Sequence, residues 1–291
     1  DCEVLRCATE LGLVCLGKTH LSELAFSGLG YNPRTATPPC VNDHDAVSGG
    51  SSSGAAASVA FGLAPLAIGS DTGGSVRIPA AWNDLVGLKT TSGRLSLEGV
   101  VPLCARFDTV GPLCRSVEDS ALALAVLEGS EAADLTNSTL ERRRFAICDT
   151  VALDALRPEP RAAFDMAIDR LRSMGAMVER IEIPQVQEAL ALSGVLFAAE
   201  AYGAWKDTIE ANPDLMYEEI LMRFRGGADV SAPDYVAAWQ KLDRLREDYY
   251  TATREFDAVL MPSSPILPPN MERLGRDHDY YVAENLLALR N

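Results

Sequence analysis

Two glycine-rich turns that each present serine are the segments of this chain best equipped for chemistry. They are Gly49-Gly-Ser51-Ser52-Ser53-Gly54 and Gly69-Ser-Asp-Thr-Gly-Gly-Ser75-Val-Arg77. Glycine lets the backbone take positive φ and approach a ligand closely, and successive N–H groups in such a turn make a nest for an anion. A serine directly behind that nest is placed to attack a carbonyl whose oxygen the nest holds as charge develops on it. A flexible Ser/Gly linker would share the composition, but linkers do not alternate with helix and strand segments of core quality as these turns do. Asp71 and Arg77 flank Ser75 and admit two readings, contact with a substrate or an ion pair that braces the turn.

Other chemistries find less support. The three histidines, His20, His44 and His278, are far apart and have no partner at ligand spacing, so no metal site is expected. Gly12-Leu-Val-Cys-Leu-Gly17-Lys18-Thr19 matches the phosphate-loop pattern letter for letter. Its four intervening positions are themselves an apolar run, whereas a phosphate loop follows a strand and opens a helix, so the match carries no nucleotide site. Lys18 is expected to satisfy a carbonyl or carboxylate after that run. Lys plus Arg number 26 against 41 Asp plus Glu, a net charge of −15 that repels phosphate backbones and argues against nucleic-acid binding. Seven cysteines, odd in number and without a CxxC pair, fit neither a disulfide framework nor a zinc site and point to a reducing compartment, the cytoplasm. No run approaches the ~18 apolar residues of a membrane span, since the stretch from Val59 to Ile68 is broken by Gly62 and Pro65.

The elements that must hold the two turns follow from periodicity. Val4, Leu5, Ala8 and Leu11 predict an opening helix, and Leu13 to Leu16, bounded by Gly12 and Gly17, predict a buried strand. Gly28 to Gly54 is a long irregular segment of the kind that often carries function. Ala55 to Gly62, rich in small residues, predicts a tightly packed helix; Leu66 to Ile68 predicts a strand, and Gly69 to Gly74 a turn. A strand over Arg144 to Cys148, a helix over Pro158 to Met174 and a strand over Met177 to Ile183 make a βαβ unit. Residues 185–255 are almost wholly helical in pattern, a strand is expected over Phe256 to Met261, and Val282, Leu286, Leu287 and Leu289 share a helical face. The expected organisation is one α/β domain over residues 1–291 with a helical elaboration at about 185–255. Because the chain opens at Asp1 within or just before a helix and stops at Asn291 without a cap, it is expected to be truncated at both ends.

The two serine turns together strongly resemble the signature of the amidase signature family. The resemblance extends to Gly17-Lys-Thr-His-Leu-Ser-Glu-Leu-Ala25, Asn32-Pro33, Gly87-Leu-Lys89, Phe107-Asp-Thr-Val-Gly-Pro-Leu113, Ser116-Val-Glu-Asp119 and Met261-Pro-Ser-Ser-Pro265. It implies a large, mixed, mostly parallel β-sheet covered by helices and an amidase, a hydrolase of non-peptide carbon–nitrogen bonds in linear amides. It implies Ser75 as the acyl-forming nucleophile, Ser51 as the bridging member of a Ser-Ser-Lys triad, and the backbone N–H groups of Thr72, Gly73, Gly74 and Ser75 as the oxyanion hole. The triad lysine is expected upstream of residue 1; Lys18 and Lys89 match other family lysines, not that base. Ser48, Asn83 and Thr90 depart from the usual pattern without touching the reacting groups.

On this resemblance the chemistry needs no cofactor and no metal, the partner is a small amide substrate, and a homodimer is compatible with it. Neither nucleic acid nor membrane is an expected partner. Three functions remain open at this point: a stand-alone amidase, a glutamine-hydrolysing subunit of the type that amidates Glu-tRNA(Gln), and a non-catalytic relative that keeps the pocket for binding. Ser52, Ser53 and Ser70 are expected to serve as loop hydrogen-bonding residues, Ser263-Ser264 to form a turn closing the pocket, and Trp82, Trp205, Tyr202 and Tyr235 to pack.

Overall fold

The computed structural model describes residues 2–154 and 156–274. Helix α1 (Glu3–Glu10) leads into a long irregular segment. It is followed by α2 (Ser53–Ala60), β1 (Leu66–Asp71), α3 (Arg77–Trp82), a short β2 (Val86–Gly87), β3 (Thr109–Cys114) and α4 (Val117–Glu128). The second half runs β4 (Arg144–Asp149), α5 (Val151–Asp154), α6 (Pro158–Ser173) and β5 (Met177–Glu182). Three helices, α7 (Pro184–Ala211), α8 (Glu218–Arg225) and α9 (Ala232–Thr253), then precede β6 (Ala258–Leu260) and α10 (Met271–Leu274).

The described strands form two three-stranded sheets, β1-β3-β2 and β5-β4-β6. In the first, β3 pairs antiparallel with both neighbours, Asp71 lying opposite Thr109 and Val86 opposite Cys114. In the second, β4 pairs parallel with both β5 and β6. A parallel pair needs a crossover, and α6 supplies it, so the expected βαβ unit is present. The fold is α/β with a mixed complement of strands.

Small side chains set the packing that matters for the serine turns. Ala55 and Ala56 of α2 are buried against Val76 and Ala80 at α3 and Leu113 on β3. Side chains this short let α2 lie close to β1 and α3, which brings the segment before α2 beside the segment before α3. Those two segments are the serine turns.

The helical layer covers this arrangement. Phe224 on α8 is fully buried among Ala201 and Ile209 of α7, Ile220 and Leu221 of its own helix, and Leu103 from the irregular segment before β3. Its ring meets that of Phe26 edge to face, with centroids 5.0 Å apart at 77°. Leu196 of α7 and Ala238 and Leu242 of α9 make a second cluster that joins those helices. Two isolated bridges, Pro39 with Val47 and Ala46 with Asn270, are the regular pairings of the long irregular stretch.

Some expectations need correction. Leu13 to Leu16 form no strand: Val14 and Leu16 are 79% and 73% exposed, because no strand among the described residues lies beside them to supply a ladder and cover their side chains. The predicted turn from Gly69 begins later, since β1 continues through Asp71 and keeps Gly69 to Asp71 in register with Thr109 to Gly111. The apolar face of residues 282–289 lies outside the described residues. Among the described residues no helix is long and apolar enough to cross a membrane.

Because Phe224 pins α8 to the Phe26 segment, Phe224→Ala is expected to cost about 3–5 kcal/mol of unfolding free energy in urea denaturation. A loss below about 1 kcal/mol would show that the α8 contact does not hold the layer.

Candidate active site

The second serine turn is built around a buried carboxylate. Asp71, the last residue of β1, is fully buried and accepts hydrogen bonds from the backbone N–H of Gly74 at 2.7 Å, of Val76 at 3.1 Å and of Arg77 at 3.4 Å. The Arg77 side chain closes a two-pronged pair on it, Nε to Oδ2 at 3.0 Å and Nη2 to Oδ1 at 2.9 Å. Of the two readings open for this pair, the brace is therefore the one realised. Burial by itself pushes the Asp71 carboxyl up, but the guanidinium and the N–H groups of Val76 and Gly74 together hold it below the ordinary carboxylate range. The chain bends so sharply inside the loop that Gly74 sits at φ 127°, a region open to glycine and not to a residue with a Cβ. Ser75 follows directly and is buried, with 8% of its surface exposed.

The first serine turn is tied to the second through the backbone. Ser52 N–H donates to the Ser75 carbonyl at 3.1 Å, Ser22 N–H donates to the Ser51 carbonyl at 3.1 Å, and Gly50 N–H donates to the Gly28 carbonyl at 2.8 Å. The Gly50–Ser51 peptide is cis. At Gly49, where φ is 81°, a Cβ would stand 2.8 Å from the Trp82 ring, so this approach also requires glycine. Ser51 is 1% exposed, and its Oγ is buried with no hydrogen-bond partner among the described residues. A buried hydroxyl normally finds a partner, so an orphan one beside a candidate nucleophile is the most conspicuous polar feature of the region.

The supporting serines behave as loop residues. Ser52 Oγ donates to the Ser70 carbonyl and accepts from Ser70 N–H, both at 3.2 Å, and Ser53 Oγ donates to the His20 carbonyl at 3.3 Å. Ser264 accepts from the Trp82 indole at 3.2 Å, and neither it nor Ser263 lines the cavity in front of Ser75. Trp205 packs on the Phe224 cluster and Tyr235 donates to Glu200 at 2.6 Å.

Two residues gain a place that their sequence positions did not announce. Asp108, 5% exposed, accepts the Thr72 hydroxyl and the backbone N–H groups of Leu103 and Cys104, at 2.9 Å from Leu103 and 3.1 Å from Cys104. It thereby joins the loop before Ser75 to one wall of the pocket. It was visible only as a letter within the Phe107-Asp-Thr-Val-Gly-Pro motif, since no local pattern reveals a partner 36 residues away. Lys89 donates Nζ to the Thr90 carbonyl at 2.8 Å; burial, aided by Arg77, lowers its amine below the usual value while the Asp71 charge opposes this. No hydrogen bond links it to either serine among the described residues. Lys18 is exposed and makes no hydrogen bond among the described residues, unlike the partnered lysine expected there.

Four backbone N–H groups, those of Thr72, Gly73, Gly74 and Ser75, were expected to form an oxyanion hole. The N–H of Gly74 is spent on Asp71, leaving those of Thr72, Gly73 and Ser75 as the groups of this loop without an acceptor among the described residues. A small cavity of about 80 Å³ opens in front of them, lined by Thr72, Gly73 and Ser75 on one side and by Phe26, Leu103, Phe197 and Arg223 on the other. A larger one of about 410 Å³ lies beyond Arg77 between α6 and β6, but it contains neither Ser51 nor Ser75. Burial and the Glu200 carboxylate 3.1 Å from its sulfur push the buried Cys104 thiol far above its ordinary range. Among the described residues no group of His, Cys, Asp and Glu is arranged to hold a metal ion.

Comparison with known proteins adds an independent line. A family model named Amidase matches residues 1–290. A 2-amino-5-chloromuconic acid deaminase of Comamonas testosteroni is 36% identical over 295 residues, covering 99% of this chain and 63% of that protein. A glutamyl-tRNA(Gln) amidotransferase subunit of Staphylococcus saprophyticus is 31% identical over 298 residues, covering 89% of this chain and 61% of that protein. A crystal structure of an amidase superposes with a TM-score of 0.90 at 29% identity, covering 100% of this chain and 67% of the other. The chain thus spans a little over three fifths of the length of these two curated relatives.

The Asp71 brace makes a prediction with a definite sign. Asp71→Asn keeps the shape but leaves Arg77 without its counter-charge, which is expected to cost about 3–5 kcal/mol at pH 7. The wild-type carboxyl has a depressed folded-state pKa, so its stabilisation is fully present above the ordinary value of about 4 and drains away as pH falls through the folded value. The stability gap between wild type and variant in urea unfolding should therefore narrow from pH 7 to pH 3. A gap that does not change with pH would contradict the brace.

Proposed function

The chain belongs to the amidase family, and from that premise we propose that it is a serine hydrolase that cleaves the carbon–nitrogen bond of a carboxylic amide through an acyl-enzyme on Ser75. The observation that carries the reading is the orphan hydroxyl of Ser51, buried on a segment hydrogen-bonded to the carbonyl of the nucleophile itself. A serine at neutral pH needs a base, and among the described residues no histidine side chain hydrogen-bonds to either serine. A hydroxyl that relays a proton to a lysine is a sound substitute, because a lysine in a desolvated site has a lowered pKa. The proposed base is a lysine from a segment N-terminal to residue 1, as the family resemblance implies.

The proposed steps balance as follows. Ser75 Oγ attacks the amide carbon while its proton passes to Ser51 Oγ and the Ser51 proton passes to the lysine. The carbonyl oxygen becomes an oxyanion facing the N–H groups of Thr72, Gly73 and Ser75, which are held in place beforehand and need not reorganise. Ser51 then delivers a proton to the leaving nitrogen, the carbon–nitrogen bond breaks, and ammonia or an amine departs. Water, activated by the same relay, hydrolyses the ester on Ser75. Asp71 takes no part in proton transfer; with Arg77 it positions the loop. None of these steps calls for a metal or cofactor. Seven unpaired cysteines suit a reducing compartment, which supports placing the protein in the cytoplasm.

The similarity to a protein named as a component of a glutamyl-tRNA(Gln) amidotransferase favours one second reading, a glutamine-hydrolysing member of such a complex. Glutamine-dependent activity that appears only with co-purifying proteins would favour it over a stand-alone amidase.

Ammonia release from simple carboxylic amides by the full-length protein tests the scheme. Ser75→Ala should lower turnover by about 10,000-fold or more, and Ser51→Ala by about 100- to 10,000-fold through loss of the proton relay. Both should keep the wild-type urea midpoint, and a Ser75→Ala protein that retains turnover would overturn the assignment.

A further inference from the structure

The N–H groups of Thr72, Gly73 and Ser75 have no acceptor among the described residues, and all three residues line the small cavity. Two of these N–H groups sit on peptides whose other end is held. The Gly74 carbonyl accepts from the Ile78 N–H at 2.8 Å, and the Asp71 carbonyl accepts from the Thr109 hydroxyl at 2.7 Å. Both peptides are trans, so in each the N–H points opposite to the carbonyl. A partner that fixes the carbonyl therefore also aims the N–H, that of Ser75 in one case and that of Thr72 in the other.

The two holds differ in kind. Ile78 uses the backbone at the start of α3, which any sequence folded this way would offer, whereas Thr109 uses a side chain. Thr109 is 3% exposed and lies opposite Asp71 in the β1–β3 ladder. Its neighbour Asp108 accepts the Thr72 hydroxyl, so the Asp71–Thr72 peptide is gripped both at its carbonyl and at the side chain that follows. Gly73 and Gly74 come next and offer little resistance of their own to a turn of the backbone. A carbonyl that accepts a hydrogen bond also polarises its peptide and strengthens the N–H at the far end. A donor aimed and polarised beforehand stabilises a developing charge without reorganising.

Building on the amidase reading, we propose that Thr109 is a positioning residue whose hydroxyl, acting through the Asp71–Thr72 peptide, aims and strengthens the Thr72 N–H for the oxyanion formed at Ser75. Thr109 does not itself line the cavity and acts on the substrate only through that peptide. Its contribution falls on the charged, tetrahedral stage of the reaction, because a neutral amide carbonyl draws far less on the donor than an oxyanion does.

Thr109→Val keeps the shape without the hydroxyl, and Thr109→Ser keeps the hydroxyl. In the full-length protein, the rate at which an organophosphonate probe modifies Ser75 should fall about 10- to 100-fold in Thr109→Val. It should keep most of its wild-type value in Thr109→Ser and fall in Thr109→Ala as it does in Thr109→Val. A loss seen in Thr109→Val alone would mark a poorly fitting side chain and overturn the proposal. Two ligands then separate the aim of the N–H from the packing of the pocket. Propylboronic acid gains a bond from Ser75 Oγ to boron, the serine proton passing to the base and the boronate becoming tetrahedral and anionic. Butyramide bound to the Ser75→Ala protein keeps its neutral carbonyl. Thr109→Val should weaken the boronate by a factor similar to its effect on labelling and leave butyramide binding unchanged; a boronate affinity that holds, or one that falls together with that of butyramide, would overturn the proposal. The underlying reading fails separately. A wild type that takes no phosphonate on Ser75 removes the nucleophile and the proposal with it, whereas wild type and Thr109→Val labelled equally fast on Ser75 keep the nucleophile and remove the role of Thr109.

Discussion

One buried carboxylate organises the functional end of this molecule. Asp71 closes β1, gathers the N–H groups of Gly74, Val76 and Arg77, and locks the Arg77 side chain onto itself. A loop of consecutive glycines has high conformational entropy, and without such an anchor it would not hold Ser75 in a single orientation. The brace also explains why a charge is tolerated at full burial: the carboxylate is satisfied on every side and the guanidinium remains partly in contact with solvent.

From that anchor the remaining parts follow in sequence. The Thr109 hydroxyl donates to the Asp71 carbonyl at 2.7 Å, so β3 fixes the end of β1. Ser52 fastens the first serine turn to Ser75, and the small residues of α2 let that turn approach. Asp108 carries the constraint outward to Leu103, where the pocket wall begins, and Phe224 sets the helical layer and Arg223 against the other side. The sheet, the loop and the helical layer thus meet at the small cavity in front of Ser75.

How much of this was legible in the sequence depends on the range of the forces involved. The serine turns, the small-residue helix, the βαβ unit and the helical stretch were readable because glycine, alanine and apolar periodicity act locally. The two serine turns were singled out from the same local signals, Ser51 and Ser75 were given roles within them by the family resemblance, and the fold places the two segments in hydrogen-bond contact. What stayed hidden was set by tertiary partners. The run Leu13 to Leu16 has strand composition, but Val14 and Leu16 lie exposed, since burial depends on a neighbour and not on composition. Asp108 gains its role from Thr72, 36 residues away, and from Leu103 and Cys104 in its own loop, and the loss of the Gly74 N–H to Asp71 depends on where a carboxylate folds back. Arg223 is an ordinary helix arginine until the layer folds over the pocket.

The central claim is that the braced loop makes Ser75 an activated nucleophile. Reaction of the full-length protein with an organophosphonate serine probe, followed by intact mass and mapping of the labelled peptide, tests it most directly. The account predicts a single adduct, on Ser75. A full-length protein that takes no adduct, or takes one on another serine while Ser75 stays unmodified, would contradict it.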